Sequence, residues 1–288
     1  MDLVYFVKHS DVNEDLRYSL RSIDKFVPFD NVWIVGYKPT WVQNVKYLPV
    51  PQTGTKHQNQ TNNLLALCKC EEISDDFVLM NDDFFAIKPV RDLEESVEIC
   101  LGSLDKAVQE HNKSVGKWHK AFKHVYQLLE SMGVEKPYYN FESHTPLKMN
   151  RHKMLEVLNH PKVKQFIKSP KVLHRRTLYR NVYHLKCRVL PTDVKISPTK
   201  DNTLERIKVC DWLSVYDNQV GSSKFKELNN LLHTLFPEPC KYEDLNIKPF
   251  ETKVYRTGIM VLAKSVADQQ MKEQTTRNKK PRFGSKKK

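Results

Sequence analysis

Residues 76–83 read Asp76-Phe77-Val78-Leu79-Met80-Asn81-Asp82-Asp83, a short apolar run that ends on two adjacent carboxylates. The run from Asp76 to Met80 has the length and continuous apolarity of a strand buried on both faces of a parallel sheet. Two neighbouring aspartates inside a core would be costly. At the carboxyl edge of a parallel sheet they face the crevice where ligands bind. This stretch therefore predicts a parallel α/β sheet with a polar site at the end of one strand. The plain alternative is an Asx turn capping the next segment.

The flanking sequence extends the pattern. Residues 2–7 (DLVYFV) predict a buried first strand, and residues 13–26 place Leu16, Leu20, Ile23 and Phe26 at helical spacing. Asn13 is a candidate N-cap, Glu14 and Asp15 suit the first turn, and Pro28 ends the helix. Residues 31–36 predict a second strand, and Tyr47-Leu48-Pro49-Val50 a third. Pro51–Gln60 reads as a polar loop and residues 61–72 as a helix. Strand–helix–strand alternation over the first ninety residues predicts βαβ units and a mostly parallel, Rossmann-like sheet flanked by helices.

Beyond Pro89 the pattern changes. Residues 92–132 read as mainly helical, and residues 150–168 as a helix broken near Pro161. Strands are expected at 183–190 and 208–215, a helix at 222–235, and a closing segment at 253–263. The chain thus divides into a βαβ part (1–90), a mainly helical part completing the fold (91–264), and a basic tail (265–288).

Charge points to partners. The net charge is +13, and residues 271–288 hold eight Lys or Arg against one Glu, so about half the excess lies in that tail. Lys279, Lys280 and Arg282 in the tail, with Arg175 and Arg176 in the basic stretch Lys148–Arg188, are candidates for contacts to a nucleic-acid backbone. No run of ~18 apolar residues argues for a membrane span. The opening MDLVYFVKHSD has no basic n-region and meets Lys8 and Asp11 early, unlike a signal peptide. The expectation is a cytoplasmic protein without a membrane partner. The six cysteines follow no usual zinc spacing and read as reduced thiols.

Several side chains are candidates for chemistry. Mg²⁺ or Mn²⁺ prefers oxygen ligands and often retains substrate phosphates in its shell, so Asp82 and Asp83 could seat such a cation against a diphosphate. Arg17 and Arg21 lie one helical turn apart and could recognise phosphate, or form a solvated helix face. Lys56 and His57 could reach a phosphate, while Asn62 and Asn63 could bond a ribose or base. His144 and Asp217 are candidate bases, with Asp217 alternatively a third metal ligand or a turn former.

In series, four segments carry a resemblance. Arg17-Tyr18-Ser19-Leu20-Arg21-Ser22-Ile23 and Leu79-Met80-Asn81-Asp82-Asp83-Phe84-Phe85 resemble the first blocks of the Stealth family. Ser143-His144-Thr145-Pro146 through Tyr179-Arg180 resembles the third, and Tyr216-Asp217-Asn218 with Leu235–Glu243 the fourth. That family includes sugar-1-phosphate transferases of capsule synthesis. Its usual Trp-Val-Asp-Gly-Ser-Asp-like opening is here Phe6-Val7-Lys8-His9-Ser10-Asp11, so an expected Asp is missing. The compact form looks closer to small bacteriophage glycosyltransferase-like proteins.

The resemblance implies a GT-A-like fold, with Asn81-Asp82-Asp83 in the place of the metal-binding Asp-x-Asp motif. Asp82, Asp83, His144, Arg180 and Asp217 fall on matched positions; Arg17, Arg21, Lys56 and Asn62 would flank the nucleotide sugar. It implies a metal-dependent transfer from a nucleotide-diphosphate sugar, a UDP-sugar first among them. With the basic charge, the expected acceptor is double-stranded DNA carrying a hydroxymethylated pyrimidine, the base turned out of the stack. The alternatives are a sugar-1-phosphate transferase acting on a glycan and a non-catalytic nucleic-acid-binding protein.

Overall fold

The computed structural model describes residues 1–10, 12–197, 203–216 and 219–247. The first half follows the alternation expected from the sequence: β1 (Asp2–Val7), α1 (Glu14–Phe26), β2 (Val32–Gly36), β3 (Lys46–Pro49), α2 (Lys56–Lys69), β4 (Asp76–Asn81) and β5 (Phe84–Ala86). Asn13 caps α1, its Oδ1 accepting from the Leu16 amide at 3.1 Å. The second helix starts earlier than its apolar residues suggest, because Thr55 and Gln58 form a capping box. Lys56 and His57 therefore lie in the first turn of α2, not in the polar loop.

The second half comprises α3 (Leu93–Val97), β6 (Ile99–Cys100), α4 (Leu104–Glu110), α5 (Lys117–Met132), β7 (Leu147–Asn150), α6 (Arg151–Asn159), α7 (Pro161–Ile167), α8 (Arg175–Val182), β8 (Arg188–Val189), β9 (Lys195–Ile196), α9 (Thr203–Val209), β10 (Trp212–Val215) and α10 (Lys226–Leu235). The expected helical stretch 92–132 is interrupted where Ile99 and Cys100 pair in parallel with Arg188 and Val189. The strand expected at 183–190 shrinks to two residues, because the chain first turns off α8 through His184 at φ 47°. The strand expected at 208–215 begins only at Trp212, since Lys208 and Val209 end α9. The closing segment expected at 253–263 and the tail at 265–288 lie outside the described residues.

A mixed α/β architecture results, with a mostly parallel central sheet. Its strand order is β3-β2-β1-β4-β7; β1, β2, β3 and β4 run parallel and β7 joins β4 antiparallel. Successive residues of β1 feed opposite layers, as the two-residue period of a strand requires. Leu3, Tyr5 and Val7 join α1, α10 and β10 in one core; Val4 joins α2, α5, α6 and α8 in the other. Burial on both faces explains why β1, β2 and β4 read as near-continuous apolar runs. Leu16, Leu20 and Ile23 of α1 are each wholly buried, worth roughly 1.5–3 kcal/mol apiece.

The strand order sets the site. From β1 the chain runs outward to β2 and β3, then returns through α2 to β4 on the other side of β1. Loops leaving the carboxyl ends of β1 and β4 diverge there, and such a switch point opens a crevice. Phe6 and Asn81 are register partners at that edge. Gly36, at the end of β2, has φ +106°, and a Cβ there would lie 2.6 Å from the Val7 carbonyl oxygen. Only glycine lets β2 end so close to the β1 edge.

Candidate active site

Asp82 and Asp83 form the turn between β4 and β5, and the two side chains diverge. Asp82 is half-buried, and its Oδ2 accepts from Asn13 Nδ2 at 2.8 Å. Asn13 therefore serves twice, capping α1 and tethering the Asp82 carboxylate. Asp83 is buried, and its Oδ2 accepts from Ser214 Oγ at 3.0 Å and Lys195 Nζ at 3.3 Å. Lys195 and Ser214 are register partners on β9 and β10, while β5 pairs with the other edge of β10. This second, three-stranded sheet thus delivers a cation and a hydroxyl to the carboxylate that the first sheet presents.

A second group adjoins it. His144 sits in the left-handed region at φ 50°, and its Nδ1 lies 2.7 Å from Asp193 Oδ2. Asp193 also accepts from the Lys195 amide at 3.2 Å, which joins the two groups through one short segment. Burial opposes ionisation of Asp193, but the charge and hydrogen bond of His144 outweigh it and hold the carboxyl below its usual range. The Trp118 ring stacks on His144 at 5.9 Å between centroids. His144 is 21% and Asp193 31% exposed, so a ligand can reach both.

Arg176 connects these groups. Its guanidinium donates to the Thr145 carbonyl and lies 5.8 Å from the Phe84 ring. Burial lowers its pKa, and the carboxylates of Glu142, Asp193 and Asp83 act against that. Glu142 accepts from Thr177 Oγ1 at 3.0 Å; burial disfavours its charge, and His174 and Arg176 restore it, so its pKa falls below the ordinary value. His174 is buried against Phe122 and Trp118, and its pKa drops to about 4 chiefly through that burial. At neutral pH His174 is uncharged, so Arg176 and Arg175 are the cations that Glu142 senses there, and His174 adds its charge only as it protonates toward pH 4.

The other candidates from the sequence separate from this cluster. Arg17 and Arg21 are neither a phosphate clamp nor a solvated face: both are buried and bind Glu243. Arg17 Nη1 donates to Glu243 Oε2 at 2.7 Å; Arg21 Nε and Nη2 donate to Oε1 and Oε2 at 2.6 and 2.8 Å. Arg180, expected at the chemistry, is buried against the Phe141 ring and donates to the Lys186 carbonyl. Its neighbour one turn earlier, Arg176, is the guanidinium that senses Asp83. Arg175, expected on an acceptor surface, donates to Gln60 Oε1 at 2.7 Å and Thr61 Oγ1 at 3.1 Å, clamping α8 to α2. Lys56 and Asn62 are exposed on α2, whereas Asn63 turns inward toward the Val35 carbonyl. Asp217, Lys279, Lys280 and Arg282 lie outside the described residues.

Asn13, Trp118, Glu142, Asp193, Lys195 and Ser214 were not singled out as site residues from the sequence. A signal existed for some of them. In Thr192-Asp193-Val194-Lys195-Ile196 a carboxylate and an amine alternate with apolar residues, so both point to one face of a strand. Ser214 is a lone hydroxyl within the apolar run Trp212–Val215. Neither pattern says which partner lies opposite.

The expected Mn²⁺ or Mg²⁺ meets a specific obstacle here. No group of three His, Cys, Asp or Glu side chains among the described residues could hold a metal ion. The ammonium of Lys195 lies 3.3 Å from Asp83 Oδ2, so a divalent cation on that oxygen would have to displace it. Asp217, the third ligand expected from the sequence, lies outside the described residues.

The arrangement defines an α/β protein with a mostly parallel central sheet, a polar cluster at the sheet's switch-point edge, and an imidazole–carboxylate pair beside it. No known family's sequence pattern matches the chain, and no curated protein matches it. Solved structures similar to it include the galactosyltransferase LgtC in complex with donor and acceptor sugar analogs, at 11% identity and TM-score 0.42, covering 77% of this chain and 89% of that one. An active-site mutant of LgtC is similar at 11% identity and TM-score 0.42, covering 75% and 87%. Likenesses this distant assign neither residues nor substrate. No helix among the described residues is long and apolar enough to cross a membrane.

Proposed function

We propose that the chain is a sugar transferase that moves a glycosyl group from a nucleotide-diphosphate sugar, a UDP-sugar first among them, to a hydroxyl. The observation that carries this reading is the His144–Asp193 pair at 2.7 Å, joined through Lys195 to the Asp83 carboxylate at the sheet's edge. With Nδ1 donating to Asp193, the imidazole presents Nε2 as a proton acceptor of fixed orientation, the arrangement that general-base catalysis needs.

The acceptor oxygen attacks the anomeric carbon while its proton passes to His144 Nε2. The bond from that carbon to the diphosphate oxygen breaks, and the electron pair leaves with the diphosphate. Lys195 and Arg176 are the cations that balance the departing charge, and in a partly desolvated site fixed cations act more strongly than in water. Asp83 and Ser214 hold Lys195 in place before the donor binds. Were a divalent cation bound, Asp82 and Asp83 would hold it, and it would add to the charge that stabilises the departing diphosphate.

The acceptor proposed is a hydroxymethylated pyrimidine in double-stranded DNA. The chain's net charge of +13 supports a polyanionic acceptor, and the partly buried Trp118 beside His144 is an aromatic ring near which an unstacked base could pack. Incubation with UDP-, GDP- and CMP-sugars, with modified DNA or a glycan as acceptor, tests the reading by chromatography of the spent donor. Acceptor-dependent release of a nucleoside diphosphate is expected. Release of a nucleoside monophosphate from a UDP- or GDP-sugar would instead mean phosphoryl transfer (a CMP-sugar releases CMP by glycosyl transfer itself), and no turnover of any donor would leave a binding protein.

A further inference from the structure

Two long stretches of the described chain contain no carboxylate side chain. Residues 111–129 hold four lysines and no Asp or Glu. Residues 157–192 hold five lysines and four arginines, again with no Asp or Glu. The fold brings the two together. α5 packs on α7 through His124 and Phe166, whose rings lie 5.9 Å apart, and Lys162 donates to the Ser131 carbonyl at the end of α5.

The cations on this side converge at two points. His124 senses Lys171, Lys120 and Lys123, which add to burial in lowering its pKa. His57, at the start of α2, senses Arg175, Lys56 and Lys117 in the same way. Lys117, Lys120, Lys123, Lys164, Lys168 and Lys171 are all exposed. Trp118, next to Lys117, stacks on His144, so the basic side begins at the candidate active site and runs away from it along α5.

We propose that the exposed lysines of α5, of α7 and of the segment that follows α7 (Lys168 and Lys171) form a docking face for the phosphate backbone of duplex DNA, aligned so that the bound duplex passes the His144 end of α5. The inference rests on the acceptor reading above. Like charges without intervening carboxylates repel one another, and an extended polyanion relieves that repulsion. The charge on a nucleotide-sugar donor is confined to one diphosphate, whereas Lys117 to Lys123 alone span about 9 Å along the helix. A duplex presents one phosphate charge per ~1.7 Å of its axis and can meet the whole row at once. Flexible lysines, each a point charge, suit backbone contacts that hold a duplex without reading its sequence.

The test is fluorescence anisotropy of the full chain with a labelled duplex DNA over a series of salt concentrations. Two variants are compared with the parent: one with Lys120→Gln, Lys123→Gln, Lys168→Gln and Lys171→Gln together, the other truncated after residue 270. The quadruple variant is expected to lose about 3–4 from the slope of log affinity against log salt, at roughly 0.9 per lost phosphate contact. Its donor hydrolysis and melting temperature should match the parent's. An unchanged slope in that variant overturns the proposal. So does loss of all duplex binding on truncation alone, or a parent that binds sulfated glycan but no duplex. Lysine-dependent duplex binding without sugar transfer to DNA would leave the docking face standing and remove the acceptor reading.

Discussion

Two clusters of opposite charge occupy the molecule, and they differ in exposure. Around Glu243, both arginines of α1 and the carboxylate are at most 7% exposed. The Glu243 carboxylate accepts from Arg17, twice from Arg21, and from the Cys240 amide, which fills its capacity. Around Asp83, only the aspartate is sealed; Lys195, His144 and Asp193 keep 17–31% of their side-chain surface. The same residue types thus serve two ends. A sealed and saturated cluster fastens the segment ending at Glu243 to α1. An open, partly engaged one retains donors and acceptors for a ligand.

The largest expected effect breaks the first cluster. Glu243→Ala leaves two buried guanidiniums without their carboxylate, and removing one partner of a buried pair costs about 3–5 kcal/mol. Chemical denaturation should show that loss. If stability were unchanged, the contrast between a structural and a chemical cluster would fail. In the second cluster the expected signature is reversed: His144→Ala should reduce turnover about 10²–10⁴-fold, the usual contribution of general acid–base catalysis, while thermal melting stays near the parent's.

The pH dependence sharpens the contrast. His174 is buried, and its pKa falls to about 4 from an ordinary 6.5. A histidine depressed on folding stabilises the protein fully above its unfolded pKa, and that stabilisation is lost as pH falls through the folded value. The expected loss is roughly 3 kcal/mol between neutral pH and pH below ~4. Burial opposes the ionisation of Glu142 and Glu243, yet their cationic partners hold both pKa values below normal, so they lose stability in the same direction on acidification. Denaturation midpoints measured across this range should show a shallower slope in His174→Asn. An unaltered slope would mean that His174 is not the buried neutral group described here.

The smallest effect concerns the tether between the layers. Asn13→Ala removes an N-cap worth about 1 kcal/mol and also frees the Asp82 carboxylate. Asn13→Asp restores a capping oxygen but sets a second carboxylate against Asp82. A donor affinity that falls in Asn13→Asp, whose cap is intact, would assign Asn13 to the site. Parent-like donor affinity in both variants, with stability lost only in Asn13→Ala, would leave it a cap alone.

The sheet was legible in the sequence because β1, β2 and β4 are buried on both faces, and long apolar runs follow directly from that. The place of Asn81-Asp82-Asp83 at a strand end was legible for the same reason. The partners of those aspartates were not. Lys195 and Ser214 lie more than a hundred residues away and meet Asp83 only because β9 and β10 pair. Arg17 and Arg21 have helical spacing in either role; only the arrival of Glu243, more than two hundred residues on, makes them structural. Arg176 and Arg180 lie one turn apart, and the sequence alone gives no reason to prefer Arg176, the one that senses the Asp83 charge.

The central claim is that Asp193 orients His144 to take a proton from an acceptor hydroxyl. Its most direct test is the pH profile of acceptor-dependent nucleoside-diphosphate release by Asp193→Asn beside the parent enzyme. The account predicts a fall of at least about 10²-fold at neutral pH, with the acidic limb of the profile displaced and the melting temperature little changed. A variant that turned over at the parent's rate, with the same profile, would contradict it.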